Sequence, residues 1–416
     1  MMSLAREPNL DAWLDRRLAV YFSDLAELIR MDSVAPDEKP ALDWSQEYFR
    51  LRARTQREPA HPDIACHPDG NHNAHLGRPD RTTVAVEWPG SAPGPLLLFS
   101  AHVDVVPAGP EFHDPFEPRW EGDCFVGRGT ADTKGNIIML AAALDYLDEH
   151  DLPHLPVLLD LVPEEEIGGN GALSTLLHGR RADGVVVLEP TDLEVFHGHR
   201  GCLEFTATVT GRASHMGGDG ISAILGAADL IAELRVLERQ LIAEASANPA
   251  FSGFSRPVQV NVGMIRGGEW HGSMPEKCTL GGSLGFPPGM HIEGAKQVLE
   301  SLPGRLTETW LHGHIAFGYE GIHNSAYLGD PDSWLAVGLR ACVRSTVADV
   351  AERRAWSVSC DARLYHDLLG VPVVVFGAGR LEEAHSSHEF LHVGRWRSGV
   401  HALVRLLTEE LRWHVG

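Results

Sequence analysis

The sequence predicts an α/β fold: a mostly parallel sheet with helices on both faces, interrupted by a smaller α+β domain. Three observations carry this. The runs PLLLFSAHVDVV, LPVLLDLVPEEE, DGVVVLEPT and VPVVVFGAG are continuously apolar, as strands covered on both faces must be. Helical periodicity in GNIIMLAAALDYLDEH supplies a crossover, so strands and helices alternate. From about His197 the pattern turns to period 2, the mark of half-exposed antiparallel strands.

The elements follow in order. Residues 10–31 carry apolar positions at helical spacing. Arg57 to Arg81 is rich in His, Pro, Asn and Asp and reads as loop, its histidines 61, 67, 72 and 75 following no ligand spacing. CLEFTATVTG, VQVNVGMIRGG and EKCTLGGSLGF read as half-buried strands, SAILGAADLIAELRVLERQLIAEA as a long amphipathic helix and HIEGAKQVLESL as a second. The helix DSWLAVGLRACVRS and the strand VPVVVFGAG return the chain to the larger domain. The expected boundaries are 1–196 and 317–416 for the larger domain and 197–316 for the insert.

Composition narrows the function. A net charge of -22 disfavours nucleic acid and anionic membrane, which ask for a basic surface. Six scattered cysteines include no C-x-x-C pair, so a thiolate zinc site is not expected and reduced thiols in the cytoplasm are. The N-terminus does not read as a signal peptide, and no apolar run reaches membrane-spanning length.

Five strings place acids and imidazoles where strands end. They are SAHVDVVP (His102, Asp104), GRGTADTKG (Asp132), VPEEEIGG (Glu165, Glu166), VVVLEPT (Glu189) and VVVFGAGRLEEAHSSHE (His385). Ligands of open α/β sheets gather beyond the carboxyl ends of the strands, so these residues can converge on one edge. Carboxylate oxygen with imidazole nitrogen is the donor set of a two-metal hydrolytic site. The lysine of GRGTADTKG is not followed by Ser or Thr, so it is no phosphate loop, and no G-x-S-x-G elbow occurs.

At these residues the chain resembles the metallopeptidase family of acetylornithine deacetylase, succinyl-diaminopimelate desuccinylase, aminoacylase and glutamate carboxypeptidase. The likeness runs from about Leu96 to Val393. It implies a zinc-exopeptidase-like catalytic domain with an inserted ferredoxin-like lid, dimeric through that lid. It implies two divalent metals per subunit, zinc first and manganese or cobalt as alternatives. His102 and Glu189 would hold one and Glu166 and His385 the other, with Asp132 bridging. Glu165 would be the general base, and Asp104 would orient His102. The register within Glu164–Glu166 is set only by the Ile167-Gly168 that follows, and His388, standing where the family often has Asn, is a possible surrogate ligand. His215, in GRASHMGGDG, looks like the lid histidine that stabilises the oxyanion in the partner subunit's site.

The chain departs from the family in the lid. The family's substrate-holding Asn and Arg fall here on Gly272 and Gly285. The expectation is room for a bulkier substrate, with Arg266, His271 or His323 as replacement donors, and a substrate other than an ordinary N-acetyl amino acid. The function read from the sequence is hydrolysis of a C–N bond in a small molecule, an amide or an amine on an activated ring. The alternatives are an N-acyl amino acid deacetylase, a dipeptidase or carboxypeptidase, and a binding protein on a retired hydrolase fold.

Overall fold

The structure, a computed structural model, describes residues 9–73, 75, 77–349 and 354–409. Its larger sheet has six strands in the spatial order Arg54–Pro59, Thr82–Trp88, Val157–Val162, Leu97–His102, Gly184–Leu188 and Val373–Phe376. The last four run parallel, and the first two are antiparallel additions at one edge.

The continuously apolar strands are covered on both faces, as their composition requires. Leu97, Phe99 and Ala101 join a core with helices Leu10–Arg30, Lys134–Glu149, Trp334–Arg344 and Val393–Glu409. Their neighbour Leu98 points the other way, into a second core with Asn170–Leu177 and Ala362–Leu369. Successive side chains of one strand thus feed opposite cores. Two strands of this sheet, Arg54–Pro59 and Thr82–Trp88, exceed the sequence expectation. Arg54–Pro59 (RTQREP) is a polar edge strand bonded on one side only, so it has no apolar run to betray it. It also takes part of the stretch expected to be loop. There, His61 and His67 turn their Nδ1 atoms to the backbone N–H of Asp63 and Asp69.

The inserted lid is a second sheet, ordered Val260–Gly267, Lys277–Phe286, Gly201–Thr210, Ile315–Gly318, with His323–Asn324 also pairing onto Gly201–Thr210. Helices Ala223–Ser246 and Ile292–Ser301 cover one face through a separate core containing Leu203, Phe205, Leu230, Leu234, Leu280 and Leu284. The lid sheet runs past residue 316, where the sequence pattern suggested a return. The last two strands are too short to show a period, which hides them in the sequence.

The two units meet along the chain just before the lid sheet. His199 is fully buried there, and burial holds its imidazole down at about 3. The neutral ring is bonded on both sides: Nδ1 lies 2.8 Å from Arg200 O, and Nε2 is within 3.4 Å of the Cys360 N–H. Among the described residues no helix is long and apolar enough to cross a membrane.

Candidate metal centre

The parallel strands end on one edge, and the loops leaving that edge carry the acids and imidazoles. His102 closes strand Leu97–His102 and is 2 % exposed. Its Nε2 stands 2.9 Å from Asp132 Oδ1 and 3.8 Å from Glu189 Oε2. The other oxygen of Asp132, Oδ2, lies 3.3 Å from His385 Nε2, which is also 3.0 Å from Glu166 Oε1. Asp132 therefore divides its two oxygens between two imidazoles that come from opposite ends of the sequence. His102, Asp132 and Glu166, and likewise His102, Glu165 and Glu189, each offer donor atoms within 4.8 Å of one another. The two sets overlap at His102, so closeness alone does not assign donors to separate ions; the division made by Asp132 is the sharper guide.

The backbone explains which of three consecutive acids does what. Glu164 has φ +66° and turns its carboxylate away from the cluster, to Asn73 Nδ2 (2.9 Å), Asn170 Nδ2 (3.0 Å) and Arg81 Nη1 (3.6 Å). Glu165–Ile167 then forms a 3₁₀ turn that brings Glu165 and Glu166 to the cluster. The following Gly169 has φ +81°, and a Cβ there would come within 2.3 Å of Asp361 Oδ1, so only glycine fits.

Asp104 lies beneath both groups. Its backbone oxygen is 2.9 Å and its Oδ1 3.5 Å from His102 Nδ1, which leaves Nε2 facing the cluster. Its two carboxylate oxygens also accept the backbone N–H groups of Glu165 (3.3 Å) and Glu166 (3.0 Å). Asp132 is fixed by a residue the sequence reading did not single out. Glu389 Oε1 accepts the N–H groups of Ala131 and Asp132 at 2.9 and 3.1 Å, while its Oε2 pairs with Arg128 at 2.7 Å. Glu389 ends the quoted string AHSSHE, the one signal that could have found it.

Electrostatics call for positive charge. Burial pushes the Glu165 carboxyl well above its usual range, with the nearby Glu189 adding to it, and burial raises Glu189 itself to about 8. Burial opposes ionisation of Asp132 too, but hydrogen bonds from His102 and His385 outweigh it and hold that carboxyl far below the usual range. Among the described residues no lysine or arginine forms an ion pair with Asp132, Glu165, Glu166 or Glu189. Four buried or half-buried carboxylates without a basic partner among the described residues, interleaved with two imidazoles, are a donor set that fits divalent cations.

The remaining sequence candidates lie elsewhere. His388 is bonded to Glu121 Oε2 at 2.9 Å and sits outside the cluster. His215 is exposed on the lid, in a short pair with Ser273, and its Nδ1 accepts the Gly217 N–H at 3.2 Å. Arg266 and His271 are exposed on the lid, and His323 is half-buried with Nδ1 3.2 Å from Gly321 O. The expected room beside the two lid glycines is taken by this chain's own side chains. A Cβ on Gly272 would fall 2.5 Å from the Trp270 ring, and one on Gly285 would fall 3.0 Å from Arg200 Cδ. Arg200 comes from a distant segment, which the sequence could not show; Trp270 opens the same turn that holds Gly272, its ring folded back over it.

Comparisons with known proteins give the chain's family and fold. The profile of peptidase family M20/M25/M40 matches residues 98–409. A probable carboxypeptidase of Emericella nidulans is 26% identical over 360 residues, covering 80% of each chain. The acetylornithine deacetylase of Aliivibrio salmonicida is 29% identical over 325 residues, 73% of this chain and 78% of its own. Among solved structures, the di-peptidase Dug1p of Saccharomyces cerevisiae superposes with TM-score 0.77 at 17% identity, covering 97% of this chain and 98% of its own. Human carnosine dipeptidase 1 gives 0.73 at 16%, covering 97% and 99%. The chain belongs to peptidase family M20/M25/M40 and is a metallohydrolase of amide C–N bonds in small molecules.

Proposed function

We propose that this chain cleaves a small N-acylated or peptidic amide at the strand-end edge of its larger sheet. The observation that carries this is Asp132, shared between His102 and His385 with Glu165 beside them. His102, Asp132 and Glu189 would hold one divalent cation, and Asp132, Glu166 and His385 the second. Zinc suits this mix of one imidazole and carboxylates per ion, and so do manganese and cobalt. Cations bound there acidify water and polarise the acyl carbonyl.

The other steps belong to side chains. Glu165 takes the proton of the attacking water and hands it to the leaving nitrogen. Asp104 keeps the His102 ring turned and anchors the Glu165–Glu166 backbone, so the base and the cradle keep one geometry. The developing oxyanion takes a hydrogen bond from the partner subunit's His215, whose exposed place on the lid leaves it free to reach across. The intact base argues against a binding protein on a retired fold.

Removal of metal tests the reading. Chelated protein, shown metal-free by elemental analysis, is expected to lose turnover of N-acyl amino acids and dipeptides on the order of 100-fold or more, and to regain it with zinc, manganese or cobalt. Undiminished turnover by metal-free protein would overturn it.

A homodimer through the lid is part of this proposal. Strand Val260–Gly267 is an edge strand, bonded among the described residues only to Lys277–Phe286. Met264, Ile265 and Trp270 on and beside it, with Leu225, are each more than half exposed. A long apolar edge asks for a partner strand, and a twofold axis supplies an identical one. Ile265→Lys with Leu225→Glu is expected to turn the dimer into a monomer in sedimentation velocity. A wild-type monomer at micromolar concentration would remove the dimer and with it the role of His215. Six cysteines without a disulfide among them support a cytoplasmic setting.

A further inference from the structure

A buried lysine without an acid stands just past the bridging aspartate. Lys134 is 0% exposed and opens helix Lys134–Glu149, two residues after Asp132. Among the described residues it forms no ion pair. Its Nζ donates instead to two main-chain oxygens at the C-terminal end of helix Leu10–Arg30, Leu28 O and Met31 O, each at 3.0 Å. Helix ends are where carbonyl groups lack partners and where a cation is favoured. Burial pulls the amine down to about 7, and either form keeps the two N–H groups that these bonds use. An amine buried on neutral acceptors is costly, and packing alone would be served better by an apolar side chain.

The oxygens it holds begin a segment that reaches other parts of the metal centre. Two residues after Met31, Ser33 Oγ donates to Val103 O (2.7 Å), and the Val105 N–H donates to Ser33 O (3.3 Å). These bonds flank Asp104 and begin at the residue after His102. Further on, Glu38 pairs with Arg81, which also donates to Pro36 O and lies 3.6 Å from Glu164. Residues 31–38 thus touch the loops of His102, of Asp132 and of the three adjacent glutamates. The His385 side is tied differently. Arg128, the partner of Glu389, donates to Ser386 O at 3.2 Å, so Glu389 and Arg128 join Asp132 to His385 without this segment.

We infer that Lys134 is a positioning residue: through residues 31–34 it fixes Asp132 against His102 and so sets one half of the metal centre before a cation arrives. The carboxylates of an empty centre repel one another, and loops left untied would part. Ties made on folding leave less ordering to be done on binding, which raises affinity. The path from Asp132 through Lys134, Met31, Ser33 and Val103 to His102 closes around one ion only. His385 stands outside it. The inference rests on the division of ligands proposed above, with His102 and Glu189 on one ion and Glu166 and His385 on the other.

The test is calorimetric titration of metal-free protein with zinc. Lys134→Met keeps the apolar stem and removes the donors. It is expected to weaken one of the two zinc ions by roughly 10- to 100-fold and leave the other within about threefold. Two backgrounds identify the ion. In His385→Ala protein, which keeps the His102 side, the same loss is expected; in Glu189→Ala protein, which keeps the other side, affinity should hold. At saturating zinc, KM should stay within about threefold, since no substrate contact is removed. Ser33→Ala acts at the far end of the path and is expected to weaken the same ion by roughly three- to tenfold. It decides the matter should Lys134→Met not fold. A lowered melting temperature with both ions unchanged, or equal losses on both, would show a merely structural role and overturn the inference. Wild type that binds no zinc would sink the metal reading and the brace with it; two tight ions in wild type and in every Lys134 and Ser33 variant would sink the brace alone.

Discussion

Glu165→Gln is expected to lower kcat by roughly 10²- to 10⁴-fold while leaving the metal content and fold unchanged. The amide keeps the shape and volume of the acid but cannot accept the proton of the attacking water. Nothing in the scaffold depends on the lost charge. The backbone N–H of Glu165 is held by Asp104 whatever its side chain carries, and Glu164 keeps its own partners, Asn73, Asn170 and Arg81. KM is expected to change little, since substrate is held elsewhere. Elemental analysis beside steady-state kinetics makes the distinction. A variant with full metal and full turnover would show that Glu165 is not the base.

Asp132→Ala is expected to be as damaging by another route. It removes both oxygens that link His102 to His385, so metal content should fall below two per chain. Activity should fall by more than the roughly 10- to 100-fold typical of losing an outer partner of a metal ligand. The fold should survive, because Glu389 still accepts the N–H of Ala131 and of residue 132. Calorimetric titration of the metal-free variant with zinc reads the result. Two equivalents bound with wild-type affinity would refute the bridging role.

The sequence showed those parts of the molecule that rest on local pattern. Leu97–His102, Val157–Val162, Gly184–Leu188 and Val373–Phe376 were legible because strands covered on both faces must be apolar throughout. The site residues were legible because each ends or follows such a run. What stayed hidden depends on long-range geometry. Three adjacent acids are equivalent in a string, and only the φ of +66° at Glu164 sorts them. Glu389 acts through two backbone N–H groups, a role with no composition signal. The two lid glycines read as empty space, yet Trp270 and Arg200 occupy it.

Asp104 has a consequence for how such a protein can diverge. One carboxylate faces an imidazole with Oδ1 and accepts the peptide N–H groups of two glutamates, Glu165 on Oδ1 and Glu166 on Oδ2. Any drift that repositions the base must also disturb the cation's cradle, so the chemical apparatus is inherited as an indivisible block. The freedom to acquire new substrates then lies in parts wired separately from it, at the base of the lid, where a side chain can be exchanged for an open surface without touching the reaction.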